Sequence, residues 1–228
     1  MAKAPSQRSQ SRDIDLFLKK SRDITAFRRQ QPRLLFAIDA TASRQPTWDR
    51  ASHLQGEMFR SVSSTASLRV QLCYFRGFND FFASPWLNDS QQLTRTMAQV
   101  QCEGGHTQIA RLLRHAQQEH RAEPIKAVVF IGDAMEENPD TLSQLAGECG
   151  LLKLPLFLFQ EGHDAQVERT FKHMAKLSGG VYARFDQRSA DTLAALLGAV
   201  ARYASGGIAA LEKQGGQGDK LLLQQLKR

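Results

Sequence analysis

Cysteine is scarce in these 228 residues, with only Cys73, Cys102 and Cys149 present. An odd count with no CxxC spacing argues against both a disulfide framework and a zinc knuckle, and makes a reducing cytoplasm the expected compartment. Long apolar runs are missing too. The best candidate, Leu151 to Phe159, is interrupted by Lys153 and Pro155, so no membrane span of ~20 residues is expected. Met1 to Arg12 is polar and basic, and no secretory signal is expected there. The 16 glycines and 7 prolines are too few for a collagen or a low-complexity chain. What is present, 42% hydrophobic and 23% charged residues, suffices for one large domain with tails.

The net charge of +7 is uneven. Residues 1–30 hold eight Lys/Arg against three Asp, and residues 205–228 hold four against Glu212 and Asp219. The stretch 31–204 is neutral. The basic character therefore belongs to the ends. With no aromatics interleaved for base stacking, nucleic acid is not the expected partner.

Apolar periodicity divides the chain further. Asp13 to Arg29 reads as an amphipathic helix carrying Ile14, Phe17, Leu18, Ile24 and Phe27. Arg33 to Asp39 reads as a buried strand ending in a carboxylate, and Thr47 to Ser64 as a helix. A strand over Leu68 to Phe75 turns at Arg76-Gly-Phe78 into a hairpin partner within Asn79 to Trp86. A helix is expected over Thr107 to Glu119. Ile125 to Ile131 reads as a strand ending in Gly132-Asp133. Asn138 and Pro139 open a helix that Gly150 is expected to follow. Leu154 to Phe159 and Val181 to Phe185 read as strands. Asp164 to Leu177 and Ser189 to Tyr203 read as helices, and Gly206 to Gly218 as loose chain before a short amphipathic turn.

Solidly apolar strands alternating with helices predict an α/β fold: a Rossmann-like, mostly parallel sheet with helices on both faces and one antiparallel edge strand. The divisions are a basic N-terminal extension with its amphipathic helix (1–31), the α/β domain (32–204) and a Gly/Gln-rich C-terminal tail with a short helix (205–228).

In such sheets ligands bind beyond the carboxyl ends of the strands. Two strands here end in acids, Asp39 and Asp133. Thr41 and Ser43 follow the first at two and four residues. Thr107 follows a pair of glycines that lets its loop fold tightly. Two carboxylates and three hydroxyls form a hard-oxygen set, suited to Mg²⁺ or Mn²⁺ rather than zinc.

This pattern, Asp39-Ala-Thr41-Ala-Ser43, then Thr107, then Asp133, resembles the metal-ion-dependent adhesion site of von Willebrand factor A-type (VWA) domains. The likeness spans roughly residues 32–204 and is closest to the stand-alone intracellular bacterial kind. It implies that Thr41, Ser43 and Thr107 supply hydroxyl oxygens to the metal, while Asp39 and Asp133 bind it directly or through water. A carboxylate from a protein partner would complete the coordination. It also implies a non-enzymatic cytoplasmic interaction module, working in some cases beside AAA+ ATPases of the MoxR type. Two departures stand out. Thr41 replaces the usual Ser, and Gly-Asp133-Ala-Met-Glu136-Glu137 replaces the commoner Thr-Asp-Gly. Glu136 and Glu137 could support the ligands from behind and raise metal affinity, or plug the open position. His106, beside Thr107, is the third candidate supporting residue.

Two rivals share these residues. Asp39-Ala-Thr41 with Gly132-Asp133-x-x-x-Glu137 is similar to the opening and the acidic motif of haloacid-dehalogenase-like Mg²⁺-dependent phosphohydrolases, in which Asp39 would be the nucleophile. That enzyme reading lacks a second acid at position 41 and leaves Gly104 to Thr107 unexplained. The other rival is a metal-free assembly subunit. Partner identity and oligomeric state are not legible in the residues.

Overall fold

The computed structural model describes residues 31–42, 68–185 and 190–227. The chain divides into two units, Met1–Gln31 and Pro32–Arg228, and the architecture below is that of the second. The expected helices over 13–29 and 47–64 lie outside the described residues.

Six strands form one sheet: β1 (Arg33–Asp39), β2 (Arg69–Arg76), β3 (Asp80–Ala83), β4 (Ala127–Gly132), β5 (Leu156–Glu161) and β6 (Val181–Phe185). Their order is β3-β2-β1-β4-β5-β6. Every pairing is parallel except β2 with the edge strand β3. The described residues also form six helices: α1 (Ser90–Ala98), α2 (Ile109–Ala122), α3 (Pro139–Leu151), α4 (Ala165–Ser178), α5 (Ala190–Gln214) and α6 (Gln217–Leu226).

The central strand explains the layering. All seven residues of β1 are buried, and side chains alternate across a strand. Leu34, Phe36 and Ile38 join a core with Leu93 and Met97 of α1, Leu196 and Val200 of α5 and Leu222 of α6. Leu35 and Ala37 join the opposite core, with Leu112 of α2, Leu142 of α3 and Phe171 of α4. Both faces are thus covered, as the continuous apolar strands predict.

Helix starts follow the expected chemistry. Asn138 accepts from the Asp140 N–H, and Asp164 from those of Gln166 and Val167. Gly179 ends α4 in the left-handed conformation with φ 69°. Gly150 behaves differently from expectation, since it lies inside α3 rather than beyond its end. A Cβ there would stand 2.2 Å from the Leu177 carbonyl oxygen, so the glycine permits close approach to α4.

The largest difference concerns residues 206–218, which are mostly helical rather than loose. Helix α5 runs on to Gln214 through a break at Gly207 (φ 65°, ψ −156°), and α6 begins at Gln217. Asp219, fully buried, receives Arg202 Nη2 at 2.8 Å and the Gly216 N–H at 2.9 Å. Gln225 presents its side-chain amide to edge strand β6, accepting from Tyr182 N–H at 3.1 Å and donating to Tyr182 O at 2.8 Å. An exposed sheet edge is thereby partly capped. Helix Asp191–Gln214 is also, by length and composition alone, apolar enough to cross a bilayer. Its Leu193, Leu196, Leu197 and Val200 are spent on the sheet core.

Candidate metal centre

Strand order reverses direction of growth at β1: β2 and β3 lie on one side, β4 to β6 on the other. The carboxyl ends of β1 and β4 therefore border the crevice where α/β sheets bind ligands. Asp39 ends β1, and Asp133 follows Gly132 at the end of β4. The two strand ends are close: a Cβ on Gly132 would lie 3.6 Å from the Asp39 Cβ.

The loops above this crevice are tied into one backbone network. Asp39, fully buried, accepts the Thr41 N–H on Oδ1 at 2.8 Å, a local side-chain turn typical of Asp. Thr41 forms an isolated parallel bridge with Glu103. The Glu103 N–H donates to Ala40 O at 3.1 Å, and the His106 N–H to Gly77 O at 3.1 Å. Gly77 turns with φ 56°. Of the paired glycines, Gly105 is the one the geometry demands, because a Cβ there would stand 1.9 Å from Gly77 O. Gly104 meets nothing within 4 Å.

This network delivers Thr107, buried, to a point just before α2. The helix begins with Gln108 as its cap residue, and the Gln108 side chain makes no capping bond. The loop after β4 supplies that service instead. Glu136 Oε2 accepts the Thr107 N–H at 2.7 Å, and Glu137 Oε1 accepts the Ala110 N–H at 3.0 Å. Both carboxylates thus sit at the positive end of a helix. The Thr107 hydroxyl donates to Glu137 Oε2 at 2.5 Å and accepts from the Glu136 N–H at 3.0 Å.

Four of the five expected metal ligands, Asp39, Thr41, Thr107 and Asp133, therefore lie on the loops around one crevice. Ser43 lies outside the described residues. Among the described residues there is no cluster of three or more His, Cys, Asp or Glu, so any cation here relies on hydroxyls as well as acids. The donor set fits a hard divalent cation on one further ground. Asp133 Oδ1 is buried with no hydrogen-bond partner, a costly state for a carboxylate that a cation would relieve.

His106 turns its ring edge-on to Phe78, with centroids 5.2 Å apart, so its ring contact is with an aromatic rather than with Thr107. Phe78 itself is 78% exposed at the rim, at the end of the Arg76-Gly-Phe78 turn. Its signal in the sequence was an apolar side chain on a tight glycine turn. Cys73 and Cys149 take no part. Burial pushes the thiols of Cys73 and Cys149 up, leaving both protonated.

No protein-family model and no curated protein matches this sequence. Solved structures do. A von Willebrand factor type A protein from Catenulispora acidiphila is 16% identical with a TM-score of 0.63, over 77% of this chain and 43% of that one. This chain thus spans less than half of that protein. An aerotolerance-related membrane protein from Bacteroides fragilis is 17% identical with a TM-score of 0.55, over 72% of this chain and 98% of that one. The SpRpn10 VWA domain is 10% identical with a TM-score of 0.56, over 72% and 95%. The fold of the described residues is that of a VWA-type domain, with its mixed six-stranded sheet and antiparallel edge.

Proposed function

We propose that the protein is a non-enzymatic, divalent-cation-dependent protein-interaction module. Asp39, Thr41, Ser43, Thr107 and Asp133 would hold Mg²⁺ or Mn²⁺, and an acidic side chain of a protein partner would complete the coordination. The cation would supply a fixed positive charge at the crevice, and the protein's residues hold its ligands in place. The observation that carries this reading is the buried, unbonded Asp133 Oδ1 at the strand end beside Asp39. A partner in an AAA+ ATPase system of the MoxR type and a cytoplasmic location belong to the same proposal. The phosphohydrolase alternative fares worse, because Asp39 is fully buried and engaged by the Thr41 N–H, a poor position for a nucleophile.

The test is a thermal melt in Mg²⁺ and in EDTA. A cation that binds only the folded state stabilises it by about 2.7 kcal/mol at a hundredfold excess over Kd. Mg²⁺ should raise the melting temperature, and Asp39→Ala should abolish the rise. An equal shift in wild type and variant would remove the site assignment. A metal-free assembly role is favoured by one observation, the engagement of Glu136 and Glu137 by the Thr107 and Ala110 N–H groups at the start of α2. An unchanged melt together with an EDTA-resistant native complex would select it.

A further inference from the structure

A threonine hydroxyl has one proton and two acceptor lone pairs. At Thr107 the proton is given to Glu137 Oε2 at 2.5 Å, and one lone pair takes the Glu136 N–H at 3.0 Å. One lone pair is left. The Thr107 N–H is itself held by Glu136 Oε2 at 2.7 Å, so the residue is fixed through backbone and side chain at once. Glu137 is fixed in turn, since its other oxygen accepts the Ala110 N–H at 3.0 Å. No described Lys or Arg competes for either glutamate.

We infer that Glu137 is a positioning residue for the candidate cation site: it accepts the hydrogen bond of the Thr107 hydroxyl and thereby dedicates the remaining hydroxyl lone pair to the cation. This rests on the metal reading above and decides between the two roles open to Glu137. A plug would ligate the cation itself, whereas both Glu137 oxygens are already engaged, one by the Thr107 hydroxyl and the other by the Ala110 N–H. A supporting carboxylate stays where it is, and a ligand hydroxyl that donates to a carboxylate is both oriented and made a stronger donor. Supporting groups of this kind commonly set metal affinity by about 10–100-fold.

The experiment is a double-mutant cycle read by titration calorimetry of Mn²⁺ into the full chain, with metal-free melts as the control for folding. Glu137→Gln keeps the shape and removes the charge, and it should weaken Mn²⁺ binding by about tenfold. In a Thr107→Ala background the same change should alter affinity by less than about twofold, because the group through which Glu137 acts is gone. Thr107→Ser, which keeps a hydroxyl, should retain the dependence on Glu137. If Glu137→Gln melts far below wild type, Glu137→Asp, whose shorter carboxylate stops short of Thr107, is read in its place with the same expectation. Tighter binding by Glu137→Gln would overturn the inference in favour of a plug. Equal weakening in both backgrounds would overturn it in favour of a general charge effect. No Mn²⁺ binding by wild type would remove the metal reading itself and this inference with it, a result distinct from the other two.

Discussion

Strand β1 has a charged residue at each end, and the two ends are built differently. At its start, Arg33 is 3% exposed and meets Glu119 at 2.7 Å and Glu123 at 3.5 Å. Its guanidinium lies 3.6 Å from the centre of the Trp86 ring, whose Nε1–H donates to Glu119 at 2.7 Å. Burial pulls the Arg33 pKa down, while Glu123 and Glu119 hold it up. At the other end, among the described residues, the acids of the β4–α3 loop have no cationic side chain. Glu136 and Glu137 rest on backbone N–H groups and a hydroxyl, and Asp133 Oδ1 rests on nothing. Helix α2 joins the two, with Ala110 at the acidic end and Glu119 at the paired one. Fourteen residues of helix span about 21 Å. The paired end answers charge with charge, although Arg33 Nε is itself buried with no hydrogen-bond partner. Among the described residues the acidic end has no counter-charge, and the proposed cation site rests on that.

That contrast can be broken in order of expected size. Arg33→Met leaves Glu119 and Trp86 without their partner and should cost about 3 kcal/mol. Urea unfolding would show it, and the difference between Mg²⁺ and EDTA should survive intact. Loss of that difference would mean that the two ends are coupled through α2.

Gly105→Ala should cost about 2 kcal/mol, because its Cβ would overlap the Gly77 carbonyl and the loop must move. Thr107 is two residues on, so the Mg²⁺ response should disappear even in the folded variant, as melts with and without EDTA would report.

Asp133→Asn should carry the opposite sign. Removing one of several like charges should stabilise the metal-free protein by about 0.5–1 kcal/mol while eliminating the Mg²⁺ response. Destabilisation of the metal-free form would show that Asp133 is a structural acid like Glu119.

The smallest effect belongs to His115, midway along α2. Its Nε2 meets Gln71 Oε1 at 3.0 Å and its ring packs edge-on to Phe81. Burial lowers its pKa from 6.5. The unfolded chain therefore takes up the proton first, and stability falls as the pH drops below about 6.5. Melts at pH 7.5 and 5.5 should show a smaller acid loss in His115→Gln than in wild type.

Much of this architecture was legible in the residues because it is local. The strand ends at Asp39 and Gly132-Asp133, the caps at Asn138 and Asp164 and the left-handed Gly179 follow from patterns within a few positions. So does the sheet with one antiparallel edge, since β2 and β3 are joined by a single turn. The C-terminal stretch was misread for the complementary reason. Glycines at 206, 207, 215, 216 and 218 suggest loose chain when read alone. The pairing of Arg202 with the buried Asp219 and the approach of Gly218 to within 2.2 Å of Ala195 O, had it a Cβ, come from packing.

The sequence by itself determined which atoms a cation would find here: carboxylates and hydroxyls at strand ends, with no thiolate among them. Those are properties of residue type and spacing. Only the tertiary structure decided what Glu136 and Glu137 do with Thr107, 30 residues away from Glu137 in the chain. It also decided that Arg33 finds its acids 86 and 90 residues on. A carboxylate's identity travels with the chain, but its partner is set by which loop the fold lays against it, and that depends on strand order and helix placement.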